Sequence, residues 1–158
     1  MTKETLITEI TAAFSDVDYP GDEHIIRSAN PLERAAVEYL KVSSRQGYSE
    51  EKLRYHHDDM GILTPEAFHY FLAAYLLAEL EKENGIIGGY IVYWFSQPRM
   101  SGSPMKGMTA GEWMDERLAL FSPRQRQALV EFLTFMGQAD DMLLEDTREA
   151  IQNVMAYK

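Results

Sequence analysis

The chain has 158 residues, of which 46% are hydrophobic and 25% are charged, a composition typical of one globular domain with a buried core. The absence of cysteine excludes disulfides, cysteine-ligated metal clusters and thiol nucleophiles. The formal net charge is −10 and no run of lysine or arginine occurs, which argues against nucleic acid and anionic membranes as partners and leaves a basic protein or a cation.

The chain opens with a predicted helix. Its first residues, MTKETLITEITAAF, include charges from the third position onward, unlike a signal peptide or a transit peptide. Their apolar residues recur at helical spacing, which predicts a helix over about residues 3–15. The longest apolar runs of the chain are shorter than the roughly 20 residues that cross a bilayer. We therefore expect a cytoplasmic protein without a membrane partner.

A turn and a second helix are predicted next. Pro20 and Gly21 suit the two central positions of a type II turn, because proline fixes the first φ and glycine accepts the positive second one. Asn30 then precedes Pro31, and this pairing of a capping residue with proline at the first helical position marks a helix start. We expect this helix to extend to about Ser44.

The middle of the chain predicts two more helices. Ser49 caps a short one that ends near Gly61. Thr64 precedes a long helix over 65–84, which stops at Gly85. The long helix is apolar around most of its girth, so we expect it to lie buried at the centre of the domain.

The segment GIIGGYIVYWF, residues 85–95, fits two structures. Its residue types favour a strand, whereas its large apolar residues repeat every four positions, as in a buried helix. We favour the helix, because a lone strand would have no partner elsewhere in the chain. A flexible loop is predicted at about 96–109.

Three helices complete the chain. Thr109 and Ser122 begin capping boxes, which predict helices near 110–120 and 123–137. A last helix follows Asp140, with its core-facing side chains expected at Leu144, Ile151 and Met155. The sum over residues 1–158 is an all-α, single-domain bundle of about seven helices around the long central one.

The segment YHHDDMG, residues 55–61, is the strongest metal-site candidate. His56 and Asp59 lie one helical turn apart and could share an ion, although the sequence predicts no cofactor. The residues that could complete the site are Asp22, His24 and His69. The alternative is that the histidines lie at a helix end and form hydrogen bonds to backbone, since adjacent helical residues point about 100° apart.

The predicted loop is a second candidate site. Methionine is flexible and polarisable, so a loop that carries several could adapt to a protein partner or cover a pocket. Its two charges are both positive in an acidic chain. The candidate residues are Arg99, Met100, Met105, Lys106 and Met108. The alternative is a disordered surface loop.

Three segments of the chain carry a resemblance and together cover close to half of it. They are, in order, AFSDVDYPGDEHI, LRYHHDDMGILTPEAFHYFLAAYLLAEL and FSPRQRQALVEFLTFM. In them the chain resembles a family of small bacterial proteins of unknown function. Members of that family often have proline in the central helix, where this chain has Ala73, and often lack the loop between Gln97 and Thr109. The resemblance implies a helical bacterial domain and no particular activity.

Two functional hypotheses follow, with self-assembly as a third that the sequence does not rank. The first is a non-enzymatic cytoplasmic protein that binds or regulates a protein partner, with an immunity protein that neutralises a toxin as an example. It rests on the acidic charge, the adaptable loop and the lack of a catalytic motif. The second is a metal-binding protein or metal-dependent hydrolase that uses the region of His56 and Asp59.

Overall fold

The structure is a computed structural model that describes residues 1–41, 48–82 and 85–157, and over these residues the fold is all-α. The described residues form eight α-helices: α1 (Lys3–Ala13), α2 (Pro31–Ala36), α3 (Glu50–Tyr55), α4 (Pro65–Lys82), α5 (Ile86–Ser96), α6 (Ala110–Leu118), α7 (Pro123–Ala139) and α8 (Leu144–Ala156). Short 3-10 turns lie at Asp22–His24, Glu38–Leu40, His57–Ile62 and Asp141–Leu143. The prediction of an all-α fold is therefore confirmed.

The predicted helix starts agree with the structure. The side chain of Asn30 accepts a hydrogen bond from the backbone of Leu32, and Ser49 caps α3 in the same way. Thr109 and Ser122 each form a complete capping box at the start of α6 and α7. These caps satisfy backbone N–H groups that have no partner within the helix.

Two predicted helices are shorter than expected. α2 ends at Ala36 because Val37 leaves helical geometry, and the predicted end at Ser44 lies outside the described residues. The helix that was expected to reach Gly61 is divided at His56, whose backbone has φ −104° and ψ 27°. Beyond these breaks the chain forms the 3-10 turns at Glu38–Leu40 and His57–Ile62.

The turn before α2 also differs from its prediction. Gly21 has the positive φ of 93° that a glycine supplies, but its ψ is 147°. A type II turn requires a ψ near 0° at this position. Gly21 instead begins the 3-10 turn at Asp22–His24, and the backbone N–H of His24 donates to its carbonyl.

α4 lies at the centre of the bundle, as predicted, and contacts α1, α3, α5 and α6. Its buried aromatic side chains include Phe68, Phe71 and Tyr75. α5 is a helix, and it packs with α7 against α8. No helix within the described ranges is long and apolar enough to cross a membrane.

The prediction for the buried face of α8 is wrong at two of its three positions. Leu144 and Met155 are 37% and 70% exposed, whereas Ile151 is partly buried and packs against the core. The residues that face the core are Thr147, Ala150 and Val154. Small side chains are selected there because α7 approaches closely: a Cβ at Gly137 would lie 2.3 Å from Thr147 Oγ1.

Candidate functional site

The structure brings His56 and Asp59 together. His56 Nδ1 lies 2.8 Å from Asp59 Oδ2, and the two side chains are 28% and 17% exposed. The imidazole stacks on the ring of Tyr39, with centroids 4.2 Å apart. Burial raises the pKa of Asp59, an effect that the hydrogen bond to His56 opposes and the charge of Asp58 reinforces.

Two tyrosines, the partly buried Tyr39 and the buried Tyr75, hold this pair against the core. The hydroxyl oxygens of Tyr39 and Tyr75 are 2.6 Å apart, and Tyr39 also donates to the backbone carbonyl of His56 over 3.4 Å. Burial raises the pKa of both phenols far above the usual value, so both hydroxyls stay protonated. These contacts hold the imidazole of His56 and the carboxylate of Asp59 in place.

The neighbouring His57 takes no part in this pair. Its Nδ1 lies 2.9 Å from the carbonyl oxygen of Arg54, at the end of α3, and the imidazole ring packs edge-on against Tyr90. This arrangement matches the alternative interpretation of the YHHDDMG segment, in which a histidine closes a helix end by bonding to backbone.

The side chains of the predicted metal ligands Asp22 and His69 have different partners, and His24 bonds through its backbone. Asp22 accepts a hydrogen bond from the hydroxyl of Tyr19 over 2.5 Å. The carbonyl of His24 accepts from Thr64 Oγ1, and His69 Nε2 bonds to Gln125 Oε1. Throughout the part of the chain that the structure describes, no three His, Asp or Glu side chains group in a way that could hold a metal ion.

The predicted partner-binding loop is bound to α6 through Arg99. The Arg99 side chain forms an ion pair with Asp115, and its carbonyl accepts from the backbone of Gly111 over 2.8 Å. Met105 and Met108 are partly buried against the core, whereas Met100 is 86% exposed. Lys106 is exposed. Of the three loop methionines, Met100 alone offers a largely free side chain.

The sequence did not predict an apolar cleft at the C-terminal end of α4. This cavity of about 180 Å³ lies between the end of α4, the start of α5, the end of α7 and the 3-10 turn at Asp141–Leu143. Its lining residues are Glu79, Leu80, Gly85, Phe135, Met136, Ala139, Asp140 and Leu143. Four separate elements supply this lining, so no local pattern in the sequence indicates the cleft.

Asp140, which lines the cleft, is the first residue of a strongly acidic exposed stretch that we call the acidic rim. It consists of Asp140, Asp141, Glu145, Asp146 and Glu149, all of them exposed. Asp140 lines the cleft and uses its side chain to accept from the backbone of Met142. Met142 itself is 89% exposed. The ion pairs found among the described residues do not include any carboxylate of the rim.

Comparisons of the chain with models of protein families, with curated proteins and with solved structures gave no match.

Proposed function

We propose that the protein is a non-enzymatic, cytoplasmic binding protein that regulates or neutralises a basic protein partner, in the manner of an immunity protein. The observation that carries the proposal is the apolar cleft bordered by the acidic rim, with Met142 exposed beside it. The expected partner segment has one apolar side chain flanked by lysine or arginine.

The size of the cleft supports one apolar anchor. A volume of about 180 Å³ is close to that of cavities that accept a benzene-sized group, on the order of 150 Å³. Leu80, Phe135 and Leu143 would surround such a group with apolar contacts. Interfaces commonly take most of their binding free energy from a few anchors of this kind.

The acidic rim supports the choice of a basic partner. Five carboxylates within ten residues of sequence produce a negative field beside the cleft, and Arg148 is the one basic residue among them. Such a field accelerates encounter with a positively charged surface and disfavours acidic competitors. Binding should therefore weaken as salt is added, because salt screens exposed charges.

A peptide pair tests this proposal directly. The probe is a fluorescent peptide with the sequence Lys-Arg-Lys-Leu-Arg-Lys, and its match carries serine in place of leucine. We expect the leucine peptide to bind more tightly, by about tenfold in Kd, which corresponds to about 1.4 kcal/mol. Fluorescence anisotropy measures the Kd of each peptide at low and at physiological salt.

Matched charge variants test whether the acidic rim is the surface that binds the peptide. Asp141→Asn with Glu145→Gln should weaken binding of the leucine peptide, whereas Glu51→Gln with Glu81→Gln, which removes two charges elsewhere, should have little effect. Equal losses in the two double variants, or equal affinity for the two peptides, would show nonspecific attraction and contradict the proposal. In host extracts, a photocrosslinker at position 142 should capture a basic protein that Asp141→Asn with Glu145→Gln no longer retains.

The pairing of His56 with Asp59 favours a second candidate function, that of a metal-binding protein or metal-dependent hydrolase. A metal-bound histidine commonly donates its other ring N–H to a carboxylate, and Asp59 already occupies Nδ1 of His56. Asp59 would then orient the imidazole, and Nε2 would be the ligand atom. Further ligands would come from water or a partner.

Metal content and melting temperature test this second candidate. A bound ion raises stability by mass action, so manganese, zinc or calcium should raise the melting temperature of the native protein. The shift should disappear in His56→Ala and persist in His57→Ala. Elemental analysis of untagged protein that finds no stoichiometric metal, together with unchanged melting temperatures, would eliminate this candidate.

A further inference from the structure

A second cavity lies under the loop that precedes α6 and has a different chemical character from the apolar cleft. Its volume is about 360 Å³, and it separates the chain that follows the 3-10 turn at Asp22–His24 from the loop tip. Arg27 and Ser28 lie on one side, Met105 and Lys106 on the other, and Glu33 completes the polar lining. We call this cavity the loop pocket.

The walls of the loop pocket contain two cations, in a protein whose net charge is −10. Arg27 and Lys106 oppose the single carboxylate of Glu33 in its walls. Arg27 Nη2 lies 3.1 Å from Glu116 Oε2, and its side chain remains 47% exposed. Because a guanidinium has five N–H donors, this contact leaves Arg27 with donors for a ligand.

Ser28 can donate to a ligand in the pocket. Its hydroxyl oxygen accepts a hydrogen bond from the backbone of Asn30 over 3.1 Å. A serine hydroxyl has one proton to donate in addition to its acceptor sites, so that proton is left for the pocket. The pocket therefore combines two cations with a neutral donor.

Arg117 adds a buried charge behind the wall. Its side chain is fully buried and donates to the carbonyls of Trp113 and Leu63 over 3.0 and 2.6 Å. Arg117 Nη2 also lies 3.7 Å from the sulfur of Met105, a residue that lines the loop pocket. Within the described residues, Arg117 Nε has no hydrogen-bond partner and no carboxylate oxygen lies within ion-pair distance of the guanidinium.

A buried guanidinium is normally paired with a carboxylate, because desolvation of an unpaired charge is costly. Here the partners are carbonyls, the Trp113 ring at 4.0 Å and a thioether. The resulting positive potential is screened by little water. Met105 is unbranched, so it can change rotamer and expose Arg117 to the pocket.

We propose that the loop pocket binds a small anion through a phosphate or carboxylate group, with Arg27, Lys106 and Ser28 as donors. Arg117 strengthens the site from behind Met105, and Glu33 weakens it. Charge-assisted hydrogen bonds of this kind are stronger than neutral ones. The proposal does not depend on the acidic rim, so either can fail without the other.

Isothermal titration calorimetry of the full chain, in low-salt buffer free of other oxyanions, tests the proposal. The two probes are inorganic phosphate and succinate, which distinguish the two anionic groups. We expect one of them to bind with 1:1 stoichiometry. Lys106→Met and Arg27→Gln should each weaken that binding by about fivefold or more, in line with the loss of a charge-assisted hydrogen bond.

Two further variants distinguish binding in the loop pocket from nonspecific attraction by the charge of the whole protein. Glu33→Gln should tighten binding severalfold, because it removes the one repulsive group from the wall. Arg148→Gln makes the same charge change as Arg27→Gln outside the pocket, and it should leave binding unchanged. Absence of heat with both anions at millimolar concentration, or equal effects of Arg27→Gln and Arg148→Gln, would overturn the proposal.

Discussion

Oε2 of the buried Glu79 lies 2.9 Å from the backbone nitrogen of Gly88 and accepts its hydrogen bond. The same carboxylate accepts from the backbone of Gly85 and Ile87, so one side chain of α4 satisfies three N–H groups at the start of α5. Arg54 Nη1 lies 3.7 Å from Oε2 of Glu79. A negative charge is favourable at this helix end, where the peptide dipoles concentrate positive charge.

Replacement of Glu79 by alanine should destabilise the protein by about 3–5 kcal/mol, because the change leaves the N–H groups at the start of α5 without their acceptor. It also removes a carboxylate near Arg54, which keeps its ion pair with Glu50. Urea unfolding, followed by circular dichroism, measures the loss. Glu81→Ala, which removes an exposed glutamate from the same helix, should change the free energy of unfolding by less than about 0.5 kcal/mol. Comparable losses in the two variants would contradict the assignment of Glu79.

Two glycine-to-alanine variants should have opposite effects on stability. Gly137→Ala places a Cβ against Thr147 Oγ1 and should cost about 1–3 kcal/mol. A Cβ at Gly89, inside α5, meets nothing within 4 Å, so Gly89→Ala should stabilise by about 0.5–1 kcal/mol through helix propensity.

Thr147→Ala tests whether contact with Thr147 is the reason that Gly137→Ala destabilises the protein. It removes the hydroxyl that the new Cβ would meet, so its cost should be smaller in the Gly137→Ala background than in the native chain. Thermal denaturation of the four proteins in this cycle measures the coupling. Additive effects would mean that the α7–α8 contact is not set by this pair.

Arg117→Lys should destabilise the protein by about 2–4 kcal/mol despite the conserved charge, because an ammonium cannot donate to both carbonyls and stack on Trp113 as a guanidinium does. Burial lowers the pKa of Arg117, and an ammonium in that place would be still less able to keep its proton. Arg124→Lys, at an exposed position, is the matched control. Urea unfolding that gives equal midpoints for both variants would refute the structural role of the guanidinium.

The partly buried carboxyl of Asp59 should make stability depend on pH in the acid range. Its pKa is higher in the folded chain than in the unfolded one, where it is about 3.9. Between these two pKa values the folded state binds more protons, so the contribution of Asp59 to stability is greatest below the unfolded pKa and is lost as pH rises through the folded pKa.

The comparison of the native chain with Asp59→Asn isolates this contribution. As the pH rises above the unfolded pKa of about 3.9, the stability of the native chain should fall relative to that of the variant. Urea titrations at each pH give the difference in the free energy of unfolding. A difference that rises with pH would mean that the hydrogen bond from His56 outweighs burial.

Local signals in the sequence were sufficient for much of the fold. Asn30, Ser49, Thr109 and Ser122 accept the hydrogen bonds that their positions predict, because capping depends on residues three or fewer positions away. The buried face of α8 was not predictable in this way. It depends on Gly137, which lies on another helix.

The candidate sites show the same limit. His56 and Asp59 are close in sequence, and their contact could be anticipated from helical spacing. Glu79 carries a charge, and only its contact with α5 explains why it is 1% exposed. The cleft and the loop pocket combine residues from distant parts of the chain, so their existence follows from tertiary packing.

The two tryptophans of the chain lie side by side, with ring centroids 5.7 Å apart. Trp94 belongs to α5 and Trp113 to α6, and the guanidinium of Arg117 lies over the second ring. Indoles this close couple their electronic transitions, so near-ultraviolet circular dichroism and intrinsic fluorescence together act as one optical reporter. That reporter follows the α5–α6 contact, next to the loop pocket, and the opening of α1 or α2 needs a probe attached there.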